Sequence, residues 1–329
     1  MSATLEQAGP LRDLAAVVRI GITGIGTALP ERVVPNAEIN ASIGVDEDWI
    51  LRRTGIRERR YARRDASLLE LAVPAARAAL ADASIEGERI DLVLVASCSQ
   101  DSVMPNAAPQ VAHAIGAQSA AFDVGSACTG FIAALAAARG MLISGASANA
   151  LVIGAEIMSR HVDPNDRNTA ALFGDGAAAF VLSAGASGDV GPVVLGSDGG
   201  HADLIVADRA TQLLSMDGHE TFKQAVKRMG EASRRACEAA GVALADLDLY
   251  VYHQANTRIL ASLSERLELD PAKVVDAIAL LGNTSAASVP LALEQARREG
   301  RLRPGMRVLL AAAGSGFTWG ACVVDWGRG

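Results

Sequence analysis

The 329-residue sequence is short of aromatic side chains, which make up 4% of it, and of charge, which makes up 20%. Scarce charge in a chain that is half hydrophobic excludes a solvated, disordered polymer and implies a packed interior. Thirty basic residues against 37 acidic ones give a net charge of −7, without the basic excess that general nucleic-acid binding needs. The four cysteines, Cys98, Cys128, Cys237 and Cys322, form no CxxC pair, and the first residues lack the charged-then-apolar order of a secretion signal. A reducing cytoplasm is therefore the expected setting. Long apolar runs are missing too, because the stretch from Phe131 to Ala138 stops at Arg139 and Gly140, short of the roughly 20 residues that cross a bilayer. What the sequence has in quantity is Ala and Gly, which let helices lie close on sheets.

Residues 1–18 carry no strand pattern and are expected to form a flexible tail, with the first strand at Val18–Ile22. Beyond it the chain repeats itself. An Ala-rich helical pattern from Pro74 to Ala83 leads to a strand at Ile90–Val95, and Glu231 to Ala240 leads in the same way to Leu247–Tyr252. Pairing Asp91 with Asp248 gives an offset of 248 − 91 = 157, and the same step carries Gly125 onto Gly282 and Leu151 onto Val308. Two halves are expected, 19–185 and 186–329, each alternating strands and helices as mainly parallel sheets do. The turn before Cys128 and the turn holding Asn283 then become pseudo-symmetric partners.

Four segments carry candidate chemistry. Phe122–Phe131 reads as a strand, a Gly125-Ser126 turn and a helix with Cys128 at its start, where free backbone N–H groups and the helix dipole would favour a thiolate nucleophile. Cys128 could equally be one more small buried residue. His253 closes the β-rich run Val251-Tyr252 and begins the polar run His253-Gln254-Ala255-Asn256, at the sheet edge where open α/β folds bind ligands, although a lone histidine is more often structural. Asn283 lies in the small-residue turn Gly282–Ser288, where it could be catalytic or merely cap the next helix. Gly314-Ser315-Gly316 follows the strand at Val308–Leu310, lacks the pattern of a phosphate loop, and could offer N–H groups to an oxyanion.

Together these runs resemble the β-ketoacyl-ACP synthase III family of thiolase-like condensing enzymes, from about Arg19 to Val324. The matching motifs are Ser126–Phe131, His253–Asn256, Gly282–Ser288 and Gly316–Gly320. The resemblance implies an internally duplicated, five-layer αβαβα thiolase-like fold of class α/β. The half with the nucleophile precedes the half with His and Asn. Cys128 would take an acyl group from an acyl-CoA, and His253 and Asn283 would stabilise the carbanion formed when malonyl-ACP loses carbon dioxide. Backbone N–H groups of Cys128 and Ser315 would form the oxyanion hole. No cofactor and no metal are implied, coenzyme A entering only as the substrate thioester.

The same likeness assigns Trp49, Arg53 and Arg167 to the nucleotide part of coenzyme A, places His219 by its pantetheine arm, and gives Lys223 and Arg258 to the surface that meets the acidic carrier protein. A packed aromatic and solvated charges are the plainer account of these residues. Met104 and Ala313 stand where aromatic residues occur in some members, Met104 at a primer-pocket wall that in those members comes from the partner subunit. Together they predict primers bulkier than acetyl. Ser315 and His219 also depart from the usual residues, which leaves starter and pathway open. A homodimer is implied, with apolar segments around Met104 and Cys128 covered by the partner. The competing functions are an acyltransferase that moves the starter to another acceptor without decarboxylation, and a silent subunit that sets chain length, which would be expected to lose Cys128.

Overall fold

The computed structural model describes residues 18–46 and 48–328. Most of the expected tail, residues 1–17, lies outside them. The first strand is β1, Ile20–Ala28, which begins two residues later and runs further than the sequence pattern suggests. A short hairpin, β2 (Val33–Pro35) and β3 (Glu58–Arg60), brackets helices α1 (Asn36–Ile43) and α2 (Trp49–Thr54). Helix α3 (Leu69–Ala83), β4 (Leu92–Ala96), α4 (Ala107–Ala114), β5 (Ala120–Val124), α5 (Gly130–Ile143), β6 (Asn149–Ile157) and β7 (Asp175–Ala184) complete the first sheet and its helices. Its order is β1-β7-β6-β4-β5, with β4 parallel to both β5 and β6.

The second sheet runs β12 (Leu249–Tyr252), β13 (Arg307–Gly314), β14 (Thr318–Asp325) and β8 (Asp189–Val190), with β9 (Val194–Ser197) also on β14. A separate hairpin, β10 (Ile205–Ala207) with β11 (Leu214–Met216), precedes helix α6 (Gly218–Ala240). Helices α7 (Thr257–Leu267), α8 (Ile278–Leu281) and α9 (Ser288–Arg298) fill the rest of the second half.

Side-chain alternation builds the layers. Every residue of β4 is buried, with Leu92, Leu94 and Ala96 in one core and Val93 and Val95 in another, as the two-residue period of a strand requires. The inner core packs α5 and α9 between the two sheets through Phe131, Leu135, Val289 and Leu293. The outer cores seat α3 and α4 on the first sheet, and α6 and α7 on the second. Five layers, αβαβα, result. Glycine makes the tight approach possible: a Cβ at Gly26 would stand 2.2 Å from the carbonyl oxygen of Ala75 in α3.

The repeat is real but its offset changes. Asp91 N–H donates to Asn149 O and Asp248 N–H to Arg307 O, so the first partners differ by 157 and the second by 307 − 149 = 158. The turns agree with the larger step, since Ala127 (φ 43°) and Ser285 (φ 48°) share a left-handed conformation rare outside glycine, and 285 − 127 = 158. A net shift of one residue in the second half therefore pairs Cys128 with Ala286 and Gly125, not Ser126, with Asn283. Where the first half has β5 before its turn, the second has only a bridge between Tyr250 and Val274, followed by α8.

Candidate active site

β5 ends at Val124, the chain turns at Gly125-Ser126, and one 3₁₀ turn at Ala127–Thr129 feeds α5. That elbow presents half-buried Cys128 to a cavity of about 310 Å3. Gly314, at the end of β13, closes on it from the other half: a Cβ there would lie 2.9 Å from Cys128 Cβ and 3.0 Å from its backbone nitrogen. Burial pushes the Cys128 thiol up to about 11, the nearby Ser285 hydroxyl opposes the rise, and the Glu156 carboxyl adds to it. The thiolate expected from the helix terminus is therefore not the resting state. Desolvation dominates here, and the thiol must lose its proton as it reacts.

His253 extends β12 by one residue, its N–H donating to Ala311 O at 2.8 Å. Its Nδ1 lies 2.6 Å from Ser288 Oγ at the start of α9. Burial pushes the imidazole down to about 4, so it is neutral near pH 7. With Ser288 donating to Nδ1, the hydrogen sits on Nε2 and the ring becomes a donor to the cavity it lines. Asn283 is held by its backbone to the first half, donating to Leu172 O at 2.8 Å and accepting from Gly174 N–H at 3.0 Å. Its side-chain oxygen accepts from Ser285 N–H at 2.9 Å, which leaves the amide NH2 for the cavity. Two neutral donors and a thiol thus share one chamber. The remaining polar residues of the His253 run are braces: Gln254 bonds Tyr252 O, Val275 O and Ala277 N–H, while Asn256 caps α7 and donates to Arg53 O.

The mouth of the cavity holds Trp49, with the Arg53 guanidinium 4.8 Å from its ring, together with Arg167 and Arg258. Ala313 and Ser315 line the interior, and the Ser315 hydroxyl donates to Ile205 O of the β10–β11 hairpin at 2.7 Å. Of the residues expected beside the chamber His219 does not line it, and Lys223 and Met104, expected on the carrier-protein surface and from a partner subunit, lie outside it. His219 is exposed at the start of α6, and Lys223 is exposed and paired with Glu220 at 3.1 Å. The reason is helical phase, because Gly218, Thr221, Phe222 and Ala225 form the cavity face and leave positions 219 and 223 pointing past it. Met104, 78% exposed, is also absent from the walls formed within one chain.

Sequence reasoning missed Cys98, Met158, Phe173, Leu214 and Met216, which line the chamber, and Ser288 behind His253. It also missed Glu156, fully buried below. Ser288 was legible as the end of the Gly282–Ser288 run, and Glu156 as a lone carboxylate in an apolar strand. The wall residues carry no local signal. Among the described residues no group of three His, Cys, Asp or Glu side chains is placed to hold a metal, and no helix is long and apolar enough to span a membrane.

Comparison with known proteins agrees with this geometry. Residues 122–199 match the family model for 3-oxoacyl-[acyl-carrier-protein] synthase III, and residues 237–326 match its C-terminal model. A β-ketoacyl-[acyl-carrier-protein] synthase III of Streptomyces coelicolor is 43% identical over 323 residues, covering 93% of this chain and 96% of the relative. The crystal structure of 3-oxoacyl-(acyl carrier protein) synthase III from Pseudomonas aeruginosa superposes with a TM-score of 0.90 at 41% identity, covering 94% of this chain and 99% of that one. A priming β-ketosynthase of a polyketide biosynthetic pathway follows at 0.89 and 35%, with 94% and 97% covered. The fold and the site define a thiolase-like condensing enzyme. The chain belongs to the 3-oxoacyl-[acyl-carrier-protein] synthase III family.

Proposed function

We propose that the protein joins an acyl-CoA starter to malonyl-ACP by decarboxylative Claisen condensation, opening a fatty-acid or polyketide chain. The observation that carries this reading is the convergence of the Cys128 thiol, neutral His253 and the free amide of Asn283 on one chamber. Cys128 attacks the acyl thioester and coenzyme A leaves. Malonyl thioester then enters, and as carbon dioxide departs, negative charge grows on the thioester oxygen where the His253 and Asn283 donors meet it. Backbone N–H groups of Cys128 and Ser315 serve the oxyanion of the acyl-transfer steps. The reaction asks for no cofactor beyond the coenzyme A thioester it consumes.

Trp49, Arg53, Arg167 and Arg258 suit the phosphates and adenine of coenzyme A at the mouth, and exposed Arg258 and Lys223 offer charge to an acidic carrier protein. Ala313 leaves room for starters bulkier than acetyl. A cytoplasmic homodimer fits the unpaired cysteines and the apolar exposure of Val103, Met104 and Phe122, whose strand β5 ends the first sheet with one side unpaired among the described residues. In that assembly Met104 would reach the neighbouring chamber.

The test is intact-mass analysis after incubation with a panel of acyl-CoAs, followed by labelled carbon dioxide release from malonyl-ACP. An acyl adduct lost in Cys128→Ala, with carbon dioxide release lost in His253→Ala and Asn283→Ala while loading persists, is expected. An adduct without decarboxylation would favour plain acyl transfer, and no adduct at all a silent subunit.

A further inference from the structure

Beside the turn that carries Asn283 lies a buried cation that the chemistry above leaves unused. Arg59, in the middle of β3, has no exposed surface. Its Nη1 donates to Asn36 Oδ1 at 3.0 Å and its Nη2 to Ala171 O at 2.9 Å, while its Nε finds no partner among the described residues. Neither acceptor is a carboxylate. A guanidinium keeps its charge, and burying one without a counter-ion is costly, so an apolar residue of similar volume would fill the same space at lower cost. Space-filling alone leaves this arginine unexplained.

The segment that Arg59 grips is the one that fixes Asn283. Leu172 O accepts the Asn283 N–H at 2.8 Å, and Gly174 N–H donates to Asn283 O at 3.0 Å, with Phe173 and Asn283 forming the parallel bridge between them. Ala171, whose carbonyl Arg59 binds, immediately precedes those residues. The arginine stem flanks the same bridge: a Cβ at Gly174 would stand 3.1 Å from Arg59 Cβ, and one at Gly282 would stand 3.3 Å from it. The far end of the clamp is firm. Asn36, at the start of α1, is itself held through Nδ2 on Ile56 O at 2.7 Å, and the chain entering β3 is held through Arg57 N–H on Ala279 O of α8 at 2.8 Å.

We propose that Arg59 is a positioning residue for the malonyl half-reaction, holding residues 171–174 so that the Asn283 amide meets the thioester oxygen as carbon dioxide departs. It acts through Asn283 and touches no reacting atom, since Ala171, Leu172 and Phe173 line the chamber and Arg59 does not. A neutral donor stabilises growing charge only when it is held in place, and a displacement of about 1 Å at a reacting centre costs on the order of 10²-fold in rate. Two bonds from one planar fork fix direction as well as distance, which a point charge does not. Cys128 is seated by β5, α5 and Gly314 instead, so loading does not depend on the clamp.

This inference rests on the condensation reading, and its test separates the two. The full-length protein is loaded with acetyl-CoA or isobutyryl-CoA and weighed intact, and the pre-acylated enzyme is assayed for labelled carbon dioxide release at saturating malonyl-ACP. Arg59→Met keeps an unbranched stem and removes the donors. It should load within about threefold of the unmodified rate, while kcat for release falls on the order of 10²-fold. Arg59→Lys keeps the charge and one donor, and should regain about tenfold of that loss, roughly the worth of one hydrogen bond. On the residual release left by Asn283→Ala, adding Arg59→Met should cost less than about twofold more, because a residue that acts through another is not additive with it. If Arg59→Met does not fold, Arg59→Lys decides: release about tenfold slower with normal loading supports the role, and a lysine chain that also fails to fold assigns Arg59 to folding and overturns it. Equal damage to both steps, a lysine no better than methionine, or a full further loss in the Asn283→Ala background would overturn it too. So would release within about threefold of the unmodified rate, well under the cost of such a displacement. An unmodified chain that releases no carbon dioxide, with or without an adduct, refutes the condensation reading itself, and the positioning role with it.

Discussion

Replacing Gly314 with alanine is the sharpest probe of the nucleophile's seating. The added carbon would stand 2.9 Å from Cys128 Cβ and 3.0 Å from its backbone nitrogen. Carbon contacts settle at about 3.5–4.0 Å, so the turn or the elbow must yield by roughly 0.5–1 Å. Overpacking of this kind costs about 1–3 kcal/mol of stability, and a displacement of about 1 Å at a reacting centre costs on the order of 10²-fold in rate. Gly314→Ala should therefore melt earlier and acylate Cys128 about 100-fold more slowly, by rapid-quench intact mass. Gly140→Ala in α5, where an added Cβ meets nothing within 4 Å, should load normally and gain about 0.5–1 kcal/mol. A Gly314→Ala protein that loads at the unmodified rate would refute the argument that this glycine exists to admit the nucleophile.

The buried imidazole of His253 has a folded value of about 4, below that of the unfolded chain, so unfolding takes up a proton as pH drops. The stability this represents is complete above about pH 6.5 and drains toward pH 4, reaching roughly 3 kcal/mol; melts of the unmodified chain and His253→Gln with the same slope from pH 7 to 4.5 would contradict it. Ser288→Ala removes the 2.6 Å contact that orients that ring, and should slow condensation about tenfold, the equivalent of one hydrogen bond, with loading untouched. Unchanged condensation would show that the ring needs no such support. Ser315→Gly removes the bond to Ile205, so amide exchange across the β10–β11 hairpin should quicken; protection equal to that of the unmodified chain would show that the tether is idle.

Periodicity and glycine punctuation made most of the architecture legible, including α3, β4, the elbow at Cys128 and the run into α9. The repeat was legible through Asp91 and Asp248, each the residue just before a matching parallel strand. The net one-residue shift before Asn283 was not, because the two halves differ in the length and structure of the connection between strand and turn, which leaves no periodic trace. Cys128, His253 and Asn283 were visible because each sits at the end of an apolar strand or in a run of small polar residues. The state of Cys128 was hidden: a helix start argues for a thiolate, and only the surrounding fold shows that burial raises the thiol. His219 was placed beside the chamber for a related reason. Its neighbours Gly218, Thr221 and Phe222 line the chamber, and a rotation of about 100° per residue decides which of them do.

The two left-handed turns at Ala127 and Ser285 are copies of one device put to opposite uses. At equivalent positions one turn carries the sulfur of Cys128 and the other the methyl of Ala286, so the repeat offers two equivalent seats and only one holds a thiol. The second turn presents Asn283 and Ser285 to the chamber that Cys128 lines. Duplication here did not yield two catalytic sites. It yielded one site with a donor shelf, whose alignment depends on the Leu172 and Gly174 bonds that clip the second turn to the first half. Neither half, expressed alone, would contain a reaction.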